Sequence, residues 1–353
     1  MVSFVDWNGL TAGQAERWRA LYARYGTRVQ QSPAYAEALH RAGERLLVAV
    51  GRDTIVLFAV NATTLQTVCN DVPILSAESP ESTESTEAAQ AGPAEPAGCK
   101  QLFAVLAGAR RVTGLSVYAP LVAAEYAGVP ERPQGEGFRA WPRPPNSVVD
   151  WSLEGADLWP RALGRGTSQL ARKRRLVERD GLVLDSGRSG AAAARDMLAV
   201  DGNSWKAARG QSMRQRGTQS EVYGGLVRDG LLTVTFLRDG GRPVAFRLDG
   251  RVKDRLTCLK WSYDEAYRRY SPGLYLLTVG LTRQWSGVGI RTVDLFGGPD
   301  ALKDLLYSAR TRRADLWYGS PELGAERAAE RRRLDALTSR AWKAGRGIRH
   351  AYG

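Results

Sequence analysis

The stretch LTCLKWSYDEAYRRYSPG covers residues 256–273 and carries the clearest fold signal in the chain. Its first eight residues, 256–263, alternate apolar and polar side chains and predict a strand. Ser271, Pro272 and Gly273 then predict the start of a helix, because proline is favoured in the first helical turn. A second strand is predicted to end in DLFGG (294–298), with Lys303 shortly after it. A helix start of this kind presents free backbone N–H groups and a positive dipole end to an anionic or carbonyl group.

This strand–loop–helix–strand unit resembles the core of a GNAT-type acyltransferase. More narrowly, it resembles the Fem-type (FemABX-like) and CelD-like branch, which shares a lysine near KWSYDEAYRRYSPG (260–273) and a second lysine after DLFGG. The resemblance covers residues 150–320 well and residues 1–150 only loosely. It implies an α/β (α+β) fold of two tandem GNAT-like domains, with the N-terminal copy degenerate.

The order of predicted elements agrees with this division. In the first half, helices near 12–25, 32–42 and 101–112 accompany strands at 46–50, 54–60 and 115–119. In the second half, helices at 161–179 and 191–209 precede a hairpin at 231–250 that turns at Asp239-Gly240-Gly241. We expect a degenerate domain over 1–146, with a disordered acidic loop at 76–98 and a Pro-rich connector at 130–145. An acyltransferase domain is expected over 147–320, and a basic C-terminal helix over 321–353.

The counts of histidine and cysteine exclude several kinds of catalytic site. The chain has 2 His and 3 Cys, and the cysteines show neither metal-ligand nor disulfide spacing. A His-based triad or metal site is therefore not expected, and the chemistry must use Asp, Glu, Lys, Tyr or backbone amides. No apolar run is long enough to span a bilayer, and the N-terminus lacks a signal-peptide pattern. These features together predict a cytoplasmic protein.

The charge of the chain favours a polyanionic partner. The net charge is +13, and residues 76–98 hold five Glu and no Lys or Arg, so removing them leaves +18 on the remainder. The predicted helix 161–179 is the most basic one and has a single acidic residue, Glu178. Nucleic acid, anionic lipid or a phosphorylated cofactor would suit such a surface. An alternative is that arginine simply serves as the default solvated residue of this chain.

Four residues near the two strand ends are the catalytic candidates. The resemblance implies that Lys303 supports the reacting acyl group as an electrophile or oxyanion donor; a solvated surface lysine is the alternative. Asp264 could accept the proton of an amine, with Tyr263 orienting it, or it could cap the following turn. Lys260 shares a strand face with Ser262 and could line the same cleft, or be an edge-strand charge.

The resemblance also suggests binding residues. Trp205, Arg209 and Met213 correspond to an aromatic–basic acceptor wall, although a core role for the tryptophan is an alternative. The donor-binding candidates are Arg268, Arg269, Ser271, Gly273 and Tyr275. Acetyl-CoA enzymes of the superfamily grip pyrophosphate with a glycine-rich loop at this place. Here Pro272 removes a donor and Leu274-Tyr275 adds bulk, so the cradle is degraded, as it is in Fem-type enzymes that use aminoacyl-tRNA.

The leading hypothesis is therefore an acyltransferase that moves an aminoacyl group from aminoacyl-tRNA to an amine of a small molecule or peptide precursor. No permanent cofactor and no metal are expected. The tRNA would be held by basic residues of the helix 161–179, namely Arg165, Arg172, Lys173, Arg174 and Arg175. The alternatives are an acyl-CoA-dependent N-acyltransferase that uses Arg268 and Arg269 for cofactor phosphates, and a catalytically silent RNA-binding module.

Overall fold

The structure is a computed structural model of the 353-residue chain. It describes residues 2–69, 74–76, 97–123, 138–154, 168–297, 300 and 302–320, with a few positions between 322 and 329. The predicted acidic loop falls almost entirely outside the described residues. So do residues 161–167 of the predicted basic helix, with Arg165, and most of the predicted C-terminal helix.

The first half of the chain contributes seven strands and four helices to the described part of the structure. The strands are β1 (Ser3–Asp6), β2 (Leu46–Val50), β3 (Thr54–Val60), β4 (Thr64–Thr67), β5 (Ile74–Ser76), β6 (Ser116–Ala123) and β7 (Phe138–Asp150). The helices are α1 (Ala12–Tyr25), α2 (Pro33–Arg41), α3 (Ala97–Thr113) and the short α4 (Trp151–Glu154).

The second half adds six strands and five helices. The strands are β8 (Val183–Arg188), β9 (Thr233–Asp239), β10 (Arg242–Val252), β11 (Arg255–Tyr263), β12 (Thr292–Asp294) and β13 (Ala309–Tyr318). The helices are α5 (Ser168–Arg179), α6 (Gly190–Gly202), α7 (Gln219–Arg228), α8 (Pro272–Tyr275) and α9 (Leu281–Trp285). A π-helical turn, Leu276–Gly280, joins α8 to α9.

Local sequence signals explain several of these boundaries. Thr11 and Gln14 form a capping box at the start of α1, in which each side chain accepts from the other residue's backbone N–H. Ser32 accepts from the backbone N–H of Tyr35, and Pro33 occupies the first turn of α2. The predicted strands 46–50 and 54–60 are confirmed with these bounds.

All strands join one sheet whose order nearly mirrors itself. The order is β1-β2-β3-β4-β6-β13-β7-β12-β11-β10-β9-β8, with β5 on the side of β3. In each half an antiparallel run ends in a parallel pair, β4 with β6 and β11 with β12. The last strand of each half is exchanged, because β13 pairs with β6 and β7 pairs with β12. The order therefore shows two similar units in tandem, as expected; their boundary at residue 146 stays a prediction, and β7 runs across it.

Helices bury both faces of the sheet in the second half. On one face, α6 and α7 cover Phe236, Phe246 and Leu259, and α2 from the first half joins them. On the other face, α5, α8 and α9 pack over apolar residues that include Leu256 and Cys258. The two halves therefore share one of their cores, so that α2 of the first half packs directly on α7.

Two sequence predictions about elements are wrong. Residues 138–145 of the predicted Pro-rich connector belong to the strand β7, and residues 130–137 lie outside the described residues. The prolines of β7 border β13 alone among the described residues, while β12 pairs only with 148–150. Proline is tolerated there because the missing N–H would face no second neighbour. The helix predicted over 191–209 ends at Gly202, and a separate 3-10 turn, Ala207–Arg209, follows.

Candidate active site

The site lies where β11 and β12 separate. The two parallel strands pair only through three residue pairs, the last of which is Thr257 with Asp294. Beyond this point β11 continues to Tyr263, while the chain after β12 turns away through Phe296 and Gly297. The start of α8 packs beside this fork. Gly273 lies so close to Trp261 that a Cβ placed on it would be 3.4 Å from the Trp261 ring. The fork thus brings together the strand end, the helix start and the lysine predicted from the sequence.

Lys303 is buried at the fork, with a relative exposure of 4%. Its Nζ donates to the carbonyl of Phe296 at 2.8 Å, lies 3.6 Å from a carboxylate oxygen of Asp300, and stands 5.2 Å from the ring centroid of Trp261. Burial lowers the pKa of Lys303, against the opposing attraction of Asp300. Lys303 is not the solvated surface lysine that was its alternative.

Gly297 makes room for this ammonium group. Its φ is +92°, and a Cβ placed there would lie 3.2 Å from the Nζ of Lys303. Only glycine adopts this backbone conformation without strain. Gly297, the first glycine of DLFGG, is therefore needed for a steric reason: a side chain at this position would crowd the ammonium group of Lys303.

Two further lysines lie on or beside β11 near the fork. The Nζ of Lys206 donates to the carbonyl of Trp261 and stands 5.8 Å from the Trp205 ring and 5.9 Å from the Trp261 ring. Lys260 donates to Oε1 of Gln219 on α7 at 2.8 Å. Burial lowers the pKa of Lys206 to about 8, with repulsion from Lys260 as the next cause. Burial likewise lowers the pKa of Lys260 to about 8.

Lys206 was missed by the sequence analysis. Lys206 is near enough to both other lysines to feel their charges, since Lys260 and Lys303 each lower its pKa. The available signal was its position directly after Trp205, which was itself a candidate. Reading 191–209 as one continuous helix hid it, because the true helix ends at Gly202 and the following turn brings Lys206 to β11.

The three lysines give the fork a cationic and titratable character. Ammonium groups near a reacting carbonyl can stabilise the negative charge that develops on its oxygen. A lysine with a pKa near 8 can also exchange a proton at neutral pH, which an ordinary lysine does poorly. The fork can thus support acyl transfer without a histidine.

The predicted acceptor residues divide into two groups. The guanidinium of Arg209 stacks 5.0 Å from the Trp205 ring centroid. With Lys206, Trp261 and Lys303 these residues form a row in which cations and aromatic rings alternate. Met213 is different, because it is fully buried in the core under α6 and α7. The prediction that Met213 contacts the acceptor is therefore wrong.

Asp264 and Tyr263 are occupied by structural contacts. Asp264 caps the 3-10 turn Glu265–Tyr270 by accepting from the backbone N–H of Ala266, and it pairs with Arg242 at 2.7 Å. Tyr263 packs against the apolar cluster around Val177, and burial raises the pKa of its hydroxyl. The geometry favours the capping alternative for Asp264; a catalytic role for either residue stays a prediction.

The start of α8 is closed by protein atoms. Ser271 adopts a left-handed conformation with φ +51°, and the four residues after it, through Tyr275, are buried. The Gly273 backbone is covered by Trp261 and Leu302, and Tyr275 belongs to an apolar core. Gly273 and Tyr275 therefore present no open surface to a donor, because both lie beneath side chains. Their predicted donor-binding roles stay predictions.

Arg268, Arg269 and the basic residues of α5 form one surface. The Nζ of Lys173 donates to the carbonyl of Arg269, while Arg172 and Arg175 are exposed on the same helix. Arg174 pairs with Glu178 at 2.9 Å, and the side chains of Arg268 and Arg269 are more than two-thirds exposed. The residues predicted to bind tRNA on α5 are thus adjacent to Arg268 and Arg269, which were predicted to bind cofactor phosphates. Comparing substitutions in the first set with substitutions in the second would therefore not distinguish a tRNA donor from an acyl-CoA donor.

Two negative findings complete the description of the site. No group of three or more His, Cys, Asp or Glu among the described residues is arranged to hold a metal ion. Within the described part of the chain, every helix is too short or too polar to cross a membrane.

Comparison with known proteins identifies the second half. Residues 165–304 match the family model of the acetyltransferase (GNAT) domain. No curated protein sequence matches the chain. Among solved structures, L-PGS from Bacillus licheniformis is similar with 13% identity, a TM-score of 0.55 and coverage of 89% of this chain and 94% of its own.

Two further structures share the fold across both halves. FemX is 12% identical over 92% of this chain and 99% of its own, with a TM-score of 0.54. A tandem GNAT protein from the clavulanic acid biosynthesis pathway is 14% identical over 90% of this chain and 98% of its own, with a TM-score of 0.50. Identities this low show a common fold alone. Residues 165–304 therefore match the acetyltransferase (GNAT) domain, within a chain that shares its fold with FemX and with a tandem GNAT protein.

Proposed function

We propose that the protein transfers an aminoacyl group from aminoacyl-tRNA to an amine and so forms an amide bond. The observation that carries this proposal is the closed start of α8. In an acetyl-CoA enzyme of the superfamily the backbone amides at this place grip the pyrophosphate of the cofactor. Here the residues from Pro272 to Tyr275 are buried, and the Gly273 backbone lies under Trp261 and Leu302.

The three lysines supply the groups that the reaction needs. A neutral amine attacks the ester carbonyl of the donor, a C–N bond forms, and the carbonyl oxygen becomes an oxyanion. Lys303 can stabilise this charge as an ammonium group. The bond to the ribose oxygen then breaks, and the proton released by the amine passes to that oxygen. A lysine with a pKa of about 8, such as Lys206 or Lys260, can accept and return this proton.

The cationic surface of α5 and the adjoining turn suits the donor. Arg172, Arg175, Arg268 and Arg269 project from two packed elements, where phosphates along an RNA backbone could contact them. Phosphate contacts of this kind require clustered positive charge and no base-reading motif. Fem-type enzymes, which the segment 256–306 resembles, take their acyl group from aminoacyl-tRNA.

The acceptor is an amine of a small molecule or a peptide precursor. The row formed by Arg209, Trp205, Lys206 and Trp261 offers stacking surfaces and positive charge beside Lys303. A carboxylate-bearing amine would suit this row, because an anionic group would meet Arg209 while its apolar part contacts a ring.

A second candidate function is an N-acyltransferase that uses acyl-CoA. The match to the acetyltransferase (GNAT) domain favours it. In that case Arg268 and Arg269 would contact cofactor phosphates, and Trp261 would have to move off the start of α8 to open the cradle. The two functions therefore differ in whether the protein binds acyl-CoA, which can be measured directly.

The first test is a titration with bulk tRNA at about 50 and 200 mM salt, run beside a calorimetric titration with acetyl-CoA. We expect salt-sensitive tRNA binding and no heat of acetyl-CoA binding. The triple variant Arg172→Ala, Lys173→Ala, Arg175→Ala should lower the slope of log K against log salt by about two, since each lost phosphate contact lowers it by about one and Lys173 donates to the carbonyl of Arg269.

The control removes the same charge from the opposite end of the sheet. Arg17, Arg19 and Arg52 are exposed residues on α1 and on the hairpin between β2 and β3, and their replacement by Ala should leave the slope unchanged. Stoichiometric acetyl-CoA binding with weak tRNA affinity would overturn the proposal. Tight tRNA binding that leaves the transfer from mixed aminoacyl-tRNA to hydroxylamine at its uncatalysed rate would indicate a silent RNA-binding module.

A further inference from the structure

Arg28 reaches the candidate active site from the first half of the chain. It is 3% exposed, and its Nη1 lies 2.6 Å from a carboxylate oxygen of Asp294 and 3.3 Å from Oγ1 of Thr257. Thr257 and Asp294 form the last residue pair of β11 and β12. The guanidinium therefore holds both strands at the point where they separate.

The backbone of Arg28 is itself fixed by the first half. Oε1 of Gln31 accepts from the backbone N–H groups of Thr27 and Arg28, at 2.9 and 3.0 Å. The indole N–H of Trp18, a core residue of α1, donates to the carbonyl of Gln31 at 2.8 Å. Arg28 is thus anchored to the packed core of α1 and α2 and extends into the second half from a rigid base.

Asp294 connects this guanidinium to the turn that contacts Lys303. One carboxylate oxygen of Asp294 accepts from the backbone N–H of Phe296 and from the side-chain amide of Asn146, both at 2.7 Å. Phe296 has a φ of +39°, an unfavourable value for a residue with a side chain, so the turn needs external contacts to keep this conformation. The carbonyl of Phe296 in turn accepts from the Nζ of Lys303 at 2.8 Å.

We propose that Arg28 is a positioning residue for Lys303, acting through Asp294 and the Phe296 turn, so that the first half of the chain completes the reaction centre. This inference rests on the role proposed for Lys303 in acyl transfer. It assigns a function to the half of the chain that the sequence resemblance describes as degenerate. It also predicts that residues 165–304, although they match a GNAT domain by themselves, do not form a competent centre without the first half.

The test measures the reactivity of each lysine in the full chain and does not require a known substrate. The protein is modified with trace acetic anhydride from pH 6 to 11, and the modified lysines are quantified by peptide mass spectrometry. The pH profile of each lysine gives its pKa, and the plateau at high pH gives its accessibility. Lys260 serves as an internal reference, because its Nζ contacts Gln219 on α7 and its pKa is lowered by burial with no contribution from Lys303.

We expect Arg28→Met to raise the plateau rate of Lys303 at least tenfold and to move its profile towards an ordinary lysine, with Lys260 unchanged. Arg28→Lys keeps a positive charge near Asp294 and should resemble the wild type. Because Arg28→Met leaves the Asp294 carboxylate buried without its partner, the double variant Arg28→Met, Asp294→Asn is measured as well. It leaves no uncompensated buried charge and should release Lys303 in the same way.

An unchanged Lys303 profile in the folded double variant would overturn the proposal, as would an equal change at Lys260 and Lys303. The test is separate from that of the proposed function, because the lysine profiles are read without donor or acceptor. Absence of tRNA binding by the wild type would refute the donor assignment and leave the positioning role of Arg28 standing.

Discussion

Replacing Lys206 by Met should make the protein more stable at neutral pH. Lys206 is partly buried between two other lysines, and its pKa is lowered from 10.5 to about 8. At about 1.4 kcal/mol per pKa unit, keeping this lysine protonated in the folded state costs about 3 kcal/mol. The variant loses the hydrogen bond to the Trp261 carbonyl, which is worth about 1 kcal/mol. The expected net gain in the free energy of unfolding is therefore about 2 kcal/mol.

The pH dependence of this gain follows from the direction of the shift. Below pH 8 the lysine is protonated in both the folded and the unfolded chain, so the penalty is present in full. Between about pH 8 and 10.5 the unfolded chain binds the extra proton, and wild-type stability rises relative to the variant. Above pH 10.5 only the lost hydrogen bond remains, and the variant should be the less stable protein.

The assay is urea denaturation of wild type and Lys206→Met from pH 6 to 11, with Lys253→Met as the control at an exposed lysine. The control should show no gain at any pH. A Lys206→Met protein that is less stable than the wild type at pH 7 would refute the reasoning. Functional sites are where a group is expected to be kept at a cost to stability. A destabilised Lys206→Met protein would instead mean that Lys206 is favourably paired in the folded state and has a structural role.

Two further positions, Gly297 and Asp264, are each tested with a matched pair of variants. Gly297→Ala should lower the free energy of unfolding by about 1–3 kcal/mol because of its positive φ, and it should also displace Lys303. Gly241 has a similar φ of +87° and open space around it, so Gly241→Ala should cost as much stability and leave the Lys303 acetylation profile unchanged. Asp264→Asn keeps a capping oxygen and should keep both stability and turnover, while Asp264→Ala should lose about 1 kcal/mol in urea denaturation. A tenfold loss of turnover in Asp264→Asn would restore Asp264 as the base.

The adjacency of α5 and the turn Glu265–Tyr270 changes how the donor question must be asked. Lys173 bonds to the carbonyl of Arg269, so the two basic sets act as one electrostatic surface. Substitutions there report on binding of any polyanion, whether RNA or a nucleotide cofactor. The salt slope and the direct acetyl-CoA titration are the measurements that separate the donors, because they differ in the number of phosphates engaged and in the need for an open α8 start.

The sequence by itself determined the local elements of this protein. The helix starts at Thr11 and Ser32 and the strands 46–50, 54–60 and 256–263 follow from caps, turns and side-chain alternation within short windows. Lys303 could also be predicted, because it follows DLFGG at a fixed short distance from a strand end. The tandem arrangement was visible in the repeated order of elements.

Only the tertiary structure decided which distant residues meet. The exchange of β7 and β13 depends on strand partners up to 201 positions apart (Val117 with Tyr318), and no local pattern encodes it. The proline-rich segment could become a strand because its second edge has no partner among the described residues. Arg28 meets Asp294, and Lys206 meets Trp261, through long-range packing. A short window cannot contain these pairs, since their energies arise from burial and charge that exist only in the folded chain.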